Sequence, residues 1–270
     1  MSRKISLAYL TLPGIEPVEQ IKIAAKAGYD FVSIRTIPMG QEGEPQVHLE
    51  KDPALFEQIK ATLKETNMKV LDIELVRIKE DVVSEYQGAF EKAAELGATD
   101  VLSSIWTEDH KFAIEEYKKV CKQAKEFGLT VNFEFPAISG VRTLEKALEI
   151  QEQIGAPNLK LLMDMLYCNW DGIDKEIEMI KKAGPERFGV IHLCDCPKDW
   201  ADSEKVVTMR GNREYCGKGI IDLPKILKAL PANNCSIESP NFAYIKEYGQ
   251  LGHAKNCLDN ARAMFTKAGL

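Results

Sequence analysis

The sequence predicts a single (β/α)8 barrel over residues 1–270, and three observations carry that prediction. Eight short apolar runs, bounded by Gly, Pro, Asn and charged residues, alternate with amphipathic stretches from end to end. That is the pattern of buried parallel strands separated by helices. Several amphipathic stretches close on a glycine able to cap a helix in the left-handed conformation: Ala27-Gly28, Leu96-Gly97, Phe127-Gly128, Ile154-Gly155 and Ala183-Gly184. The 270 residues show no linker, low-complexity tract or break in composition, and this length is normal for one such barrel. An open doubly wound sheet is the competing fold. It often carries a glycine-rich phosphate turn after its first strand, and Leu10-Thr11-Leu12-Pro13-Gly14 offers no G-x-G-x-x-G.

In chain order, the strands are expected at Ile5–Leu12, Phe31–Ile37, Val70–Ile78, Asp100–Trp106, Thr130–Phe135, Lys160–Met165, Gly189–Cys194 and Cys235–Glu238. The amphipathic stretches between them are Val18–Ala27, Pro53–Thr66, Val83–Leu96, Ile114–Phe127, Thr143–Ile154 and Ile173–Ala183, with a last helical region at Phe242–Phe265. Two connections are longer than a turn requires: Pro38–Lys51, rich in Gly, Glu and Gln, and Pro197–Gly219, dense in charge. Loops that follow strands two and seven of a barrel lie on its catalytic face.

Composition narrows the function. Hydrophobic residues make up 45% and charged residues 28%, with a net charge of −6, so no large basic surface for nucleic acid is indicated. No apolar run approaches membrane-spanning length, and the N-terminus lacks a signal-peptide core. Seven scattered cysteines are an odd count without disulfide spacing, which points to a reducing cytoplasm. The aromatic and apolar residues of the last helical region are compatible with a homo-oligomer as well as with intramolecular packing.

Four consecutive strands in the second half each end on a metal-competent side chain: Glu134, Asp164, His192 and Glu238. An ionised carboxylate in a buried strand is costly unless it is paired or bound to a cation. Barrel strand ends converge on one face, so these four can meet despite their separation in sequence. Three carboxylates and one imidazole form a hard ligand set for one divalent ion. Manganese, magnesium or cobalt is favoured, with zinc left open. Asp195 is a candidate to orient His192. Glu74 is an acid inside an apolar strand, either catalytic or paired with Arg35 or Arg77. Arg35, Arg77, Lys198, Arg210 and Arg213 lie at strand ends or in the loop after strand seven. They are either solvated or placed to fork a substrate carboxylate or phosphate. Trp106, Phe135 and Trp170 are candidates for a pocket wall. Cys194 and Cys196 read as packing thiols, His48 and His110 as exposed, and His253 as a helix-face or subunit-contact residue.

The set Glu134, Asp164, His192 and Glu238 resembles that of the xylose-isomerase-like barrels of sugar phosphate isomerases and epimerases. So do Val190-Ile191-His192-Leu193-Cys194-Asp195, the turn Gly217-Lys218-Gly219-Ile220-Ile221-Asp222, and the approach Gly128–Glu134. The resemblance implies a small-molecule carbonyl substrate, one divalent metal, and Glu134 and Glu238 as the pair that removes and returns a proton. A cation holding a carbonyl and its neighbouring hydroxyl stabilises the enediolate formed on deprotonation. Return of the proton to the other face gives epimerisation, return to the next carbon gives isomerisation, and loss of a β-hydroxyl gives dehydration. An isomerase or epimerase of a keto-sugar, sugar phosphate or inosose is the leading expectation; a dehydratase of a keto-cyclitol or dehydroshikimate-like acid is the alternative. The family's sugar epimerases usually carry histidine three residues after the strand-six aspartate, where this chain has Tyr167. The strand-seven lysine is Cys194, and strand two ends in Arg35 rather than glutamate. Tyr167, Lys198, Arg210, Arg35 and Trp106 are therefore the expected substrate contacts, and the departures point away from a plain free ketose. Abasic-site DNA cleavage, known on the same barrel, needs many histidines; this chain has four.

Overall fold

The computed structural model describes residues 3–197 and 204–270. Eight parallel strands form a closed barrel in sequence order: β1 (Ile5–Leu7), β2 (Phe31–Arg35), β3 (Val70–Ile78), β4 (Asp100–Ile105), β5 (Thr130–Glu134), β6 (Leu159–Asp164), β7 (Phe188–Leu193) and β8 (Cys235–Ile237). The ring closes through β8 on β1, where Ser236 faces Ser6. Around and between the strands lie α1 (Pro17–Ala27), α2 (Pro53–Thr66), α3 (Gln87–Glu95), α4 (His110–Glu126), α5 (Leu144–Ile154), α6 (Met165–Asp171), α7 (Ile173–Ala183), α8 (Lys205–Gly211), α9 (Leu223–Leu227) and α10 (Phe242–Ala268). The predicted barrel is the observed fold. Among the described residues no helix is long and apolar enough to cross a membrane.

Several boundaries differ from expectation, each for a local reason. β1 stops at Leu7 because Tyr9–Thr11 turns into a 3-10 helix, with Leu12 N donating to Tyr9 O at 2.9 Å. α3 starts at Gln87 rather than Val83: Val83 is exposed, and Tyr86 N donates to the Gln123 side chain. α4 begins a turn early because the Asp109 carboxylate accepts from Lys111 N and Phe112 N, and an N-cap of this kind contributes about 1 kcal/mol. α6 was not expected. It follows β6 directly, capped by Asp164 Oδ1, which accepts from Leu166 N at 2.8 Å.

Strand alternation divides the apolar residues between two cores. Ile34, Ile73, Val101, Phe133, Leu161, Ile191 and Ile237 belong to the large core shared with the helices. Leu71, Leu75, Leu102, Leu162 and Val190 form a separate cluster. Polar links join strands across the ring: the hydroxyls of Ser6, Ser33 and Ser236 form a chain, and Asn132 bonds both Asp100 and the backbone of Val190. Gly189 faces this last contact. A Cβ there would lie 1.9 Å from Asn132 Oδ1, so only glycine fits.

Candidate metal centre

The C-terminal ends of β5 to β8 bring Glu134, Asp164, His192 and Glu238 together, all buried, with one ligand atom from each within 4.8 Å of the others. The register explains the convergence. Asp164 pairs with His192 across β6 and β7, and His192 pairs with Ser236 two residues before Glu238. Glu134 ends β5 beside Leu162, two residues below Asp164.

Three observations of this cluster fit a divalent cation. Both ring nitrogens of His192 and Glu134 Oε1 are buried without a hydrogen-bond partner among the described residues. His192 Nδ1 lies 3.2 Å from Glu134 Oε1 and 3.6 Å from Glu238 Oε2, but neither approach is aligned as a hydrogen bond. Buried polar atoms left in that state are costly, and a shared cation would satisfy Glu134 Oε1 and one of the two His192 nitrogens. Burial disfavours a charged imidazole, yet Glu238 and Glu134 outweigh it and hold His192 well above its ordinary range. The cavity favours positive charge.

The two glutamates are driven apart. Burial pushes Glu134 up to about 7, helped by the charge of Glu238 and opposed by His192. Burial acts the same way on Glu238, but His192 and Arg213 overcome it and bring it down to about 2. Opposed environments of this kind are how two carboxylates in one site take acid and base roles.

The structure also places Arg213 in this cluster, fully buried. Its Nη1 donates to Asp164 Oδ2 at 2.7 Å and to Glu238 O at 3.0 Å, and its Nη2 lies 2.9 Å from Glu238 Oε2. Met209 O takes its Nε–H. The sequence named Arg213 only as one of several basic loop residues. Its partners lie on β6 and just after β8, so no local signal marked it. Asp164 is thus held at both oxygens, by the start of α6 and by Arg213.

Asp195 does not orient His192. Its carboxylate accepts from the backbone N–H groups of Cys196, Gly217 and Ile221, tying down the loop that returns toward β8. Glu74 is the buried acid paired with Arg35, at 2.8 Å, and its other oxygen accepts from Tyr9 N. Arg35 also binds Glu44 at 2.9 Å and stacks over the Tyr9 ring, so its fork is already engaged. Arg77 donates to Met39 O. Cys194 and Cys196 are buried free thiols, as expected of packing residues. His253 is buried between Ser239 O and the Tyr215 hydroxyl rather than on a helix surface, because α10 turns that face inward. His110 is half-buried, its Nε2 3.0 Å from Gly140 O.

A cavity of about 330 Å³ opens above the cluster, lined at its floor by Glu134 and Glu238 and along its sides by Tyr167 and Trp106. Trp106 donates its indole N–H to Ser104, and the Tyr167 hydroxyl accepts from Arg213. Arg210 lies exposed at the rim. Lys198 lies outside the described residues. Phe135 packs in the core and Trp170 sits on α6 against Tyr167; neither is among the residues that line the cavity.

A model of the xylose isomerase-like TIM barrel family matches residues 21–260. The chain is 25% identical over 263 residues to the inosose isomerase of Halalkalibacterium halodurans, covering 89% of this chain and 87% of that protein. Among solved structures, the IOLI protein with a binding zinc atom superposes with a TM-score of 0.80 at 20% identity, covering 98% of this chain and 99% of that one. The D-allulose 3-epimerase of Methylomonas sp. in complex with D-allulose gives a TM-score of 0.71 at 15% identity, covering 97% of each chain. At these identities the superpositions show a common fold.

Proposed function

Because this chain belongs to the xylose isomerase-like TIM barrel family, we propose that it is a divalent-metal-dependent isomerase or epimerase of a hydroxylated carbonyl compound of the keto-sugar, sugar phosphate or inosose type. The observation that carries this reading is the pair Glu134 and Glu238. Both face one cavity, both belong to the four-residue cluster, and their environments are opposed.

Glu134, Asp164, His192 and Glu238 would hold the cation, which when bound supplies positive charge to the substrate oxygen that becomes negative. The remaining work falls to the side chains. One glutamate removes the proton from the carbon beside the carbonyl, and the other returns a proton to the opposite face or to the neighbouring carbon. Arg213 keeps Asp164 and Glu238 in place throughout. The names of the relatives, an inosose isomerase and ketose epimerases, agree with this chemistry. The donor set favours manganese, magnesium or cobalt, and the zinc in the IOLI protein keeps zinc within the range.

The test is mass spectrometry of ketoses, their phosphates, inososes and dehydroshikimate incubated with metal-loaded protein in heavy water. Gain of one deuteron at unchanged formula supports the proposal. Loss of water assigns dehydration instead, and silence with metal shown to be bound refutes enolisation of this substrate class.

A further inference from the structure

The cavity above the cluster is lined by buried carboxylates, by exposed polar side chains and by a run of apolar residues. At its floor are Glu134 and Glu238, and at its mouth are the exposed side chains of Gln41, Glu42 and Arg210. The remaining described lining includes Leu10, Met39, Leu75, Leu102 and Met209 beside Arg35, Trp106 and Tyr167, with Phe242 exposed near the mouth. Most polar atoms in that zone are already engaged. Arg35 is held by Glu44 and Glu74, leaving only its Nε without a partner. The Trp106 indole N–H goes to Ser104, and the Tyr167 hydroxyl accepts from Arg213.

A polyol lying along this wall would bury several hydroxyls with few partners among the described residues beyond the Tyr167 O–H and the Arg35 Nε–H, and each unpaired group weakens binding. An apolar substituent would instead displace water from Leu10, Met39 and Phe242, the last of which is 59% exposed, and pack on the buried Leu102 and Met209. The mouth offers charges of both signs, so it does not select an anion. We propose, resting on the enolisation reading above, that the substrate has a hydroxycarbonyl at one end only, with an apolar alkyl or aryl body filling the rest of the cavity. A deoxy or aryl-substituted derivative of a keto-sugar fits this description better than a free ketose.

Two probes of equal heavy-atom count separate the alternatives: a hydroxymethyl ketone with a phenylethyl tail, and D-fructose. Each is incubated with the metal-loaded full chain in heavy water, and deuterium gain beside the carbonyl is followed while binding is measured by calorimetry. In each exchange the glutamate takes a proton from carbon and returns a deuteron acquired from solvent. A kcat/KM for the phenyl-tailed ketone at least tenfold above that of fructose is the expected result. Exchange of fructose as good or better overturns the substrate inference and leaves the proposed function standing. If neither probe exchanges, the enolisation reading fails. Calorimetry then still decides the cavity's preference, with tighter binding of the phenyl-tailed ketone supporting it and equal or weaker binding overturning it. Met209→Gln, which adds amide donors at nearly constant shape, is expected to narrow the gap; an unchanged ratio counts against the wall as its source.

Discussion

Replacing Arg213 with Met tests how the cluster is balanced. The guanidinium lies 2.7 Å from Asp164 Oδ2 and 2.9 Å from Glu238 Oε2, with all three side chains essentially out of solvent. Removing one partner of a buried ion pair costs about 3–5 kcal/mol, because the charges left behind are uncompensated. In a chain of this size each kcal/mol moves the melting temperature by roughly 2–4 °C, so the chelated variant should melt on the order of 10 °C below wild type. With His192 neutral, as a metal ligand must be, three carboxylates and one guanidinium leave a net charge of −2 that a dication neutralises; without the guanidinium the deficit grows. A divalent ion should therefore recover most of the lost stability, and its stabilising increment should be larger in Arg213→Met than in wild type. Calorimetric melts of both proteins, in chelator and in saturating manganese or zinc, give the four temperatures needed. Equal metal increments in the two proteins, or a chelated variant that melts with wild type, would refute the reasoning.

The remaining predictions address chemistry, titration and packing. Glu134→Gln and Glu238→Gln should each lower proton exchange into substrate by roughly 10²–10⁴-fold; near-normal turnover in both would end the two-glutamate mechanism. His192→Ala should chiefly weaken cation binding, by at least the roughly 10–100-fold that loss of an outer contact costs, as read by metal titration. Glu176 on α7 is buried, and burial, with a hydrogen bond to Asp171 and the charge of that residue, pushes it up to about 9. Between its ordinary value and 9 the folded chain holds a proton that the unfolded chain has released, so stability falls as pH rises through that window. At pH 7 this costs about 3 kcal/mol. Glu176→Gln should recover most of it at neutral pH and almost nothing near pH 4.5, and a pH-independent gain in urea titrations would contradict the assignment. Gly189→Ala should destabilise by about 1–3 kcal/mol or more by driving a methyl into Asn132, measurable in the same titrations.

What the sequence made legible was whatever repeats. Barrel strands are short, apolar and regularly spaced, so a charged residue at the end of one stands out. Four such ends in succession gave Glu134, Asp164, His192 and Glu238, which the fold brings together. Arg213 stayed hidden for the opposite reason. It lies in an irregular connection, and the carboxylates that hold it are 49 and 25 positions away, so its charge read only as a loop cation, solvated or forking a substrate oxyanion. Asp195 misled because proximity in sequence to His192 suggested contact, whereas its carboxylate turns to three backbone N–H groups of its own loop. Glu74 was legible as an anomaly, but the choice between Arg35 and Arg77 needed the ladder, in which Arg35 faces it directly.

The Glu44 carboxylate accepts from Arg35, from Met39 N at 2.7 Å and from Gln41 N at 3.1 Å. Arg35 is in turn fixed to β3 through Glu74. The connection after β2, longer than a turn requires, is thus fastened by one acidic side chain to the rim of the barrel. Ordering a free loop residue costs about 1–2 kcal/mol, and here that cost is met during folding. A ligand arriving against Gln41 and Glu42 meets a preformed edge, so on this side of the entrance the shape of the mouth, rather than loop closure, sorts what enters.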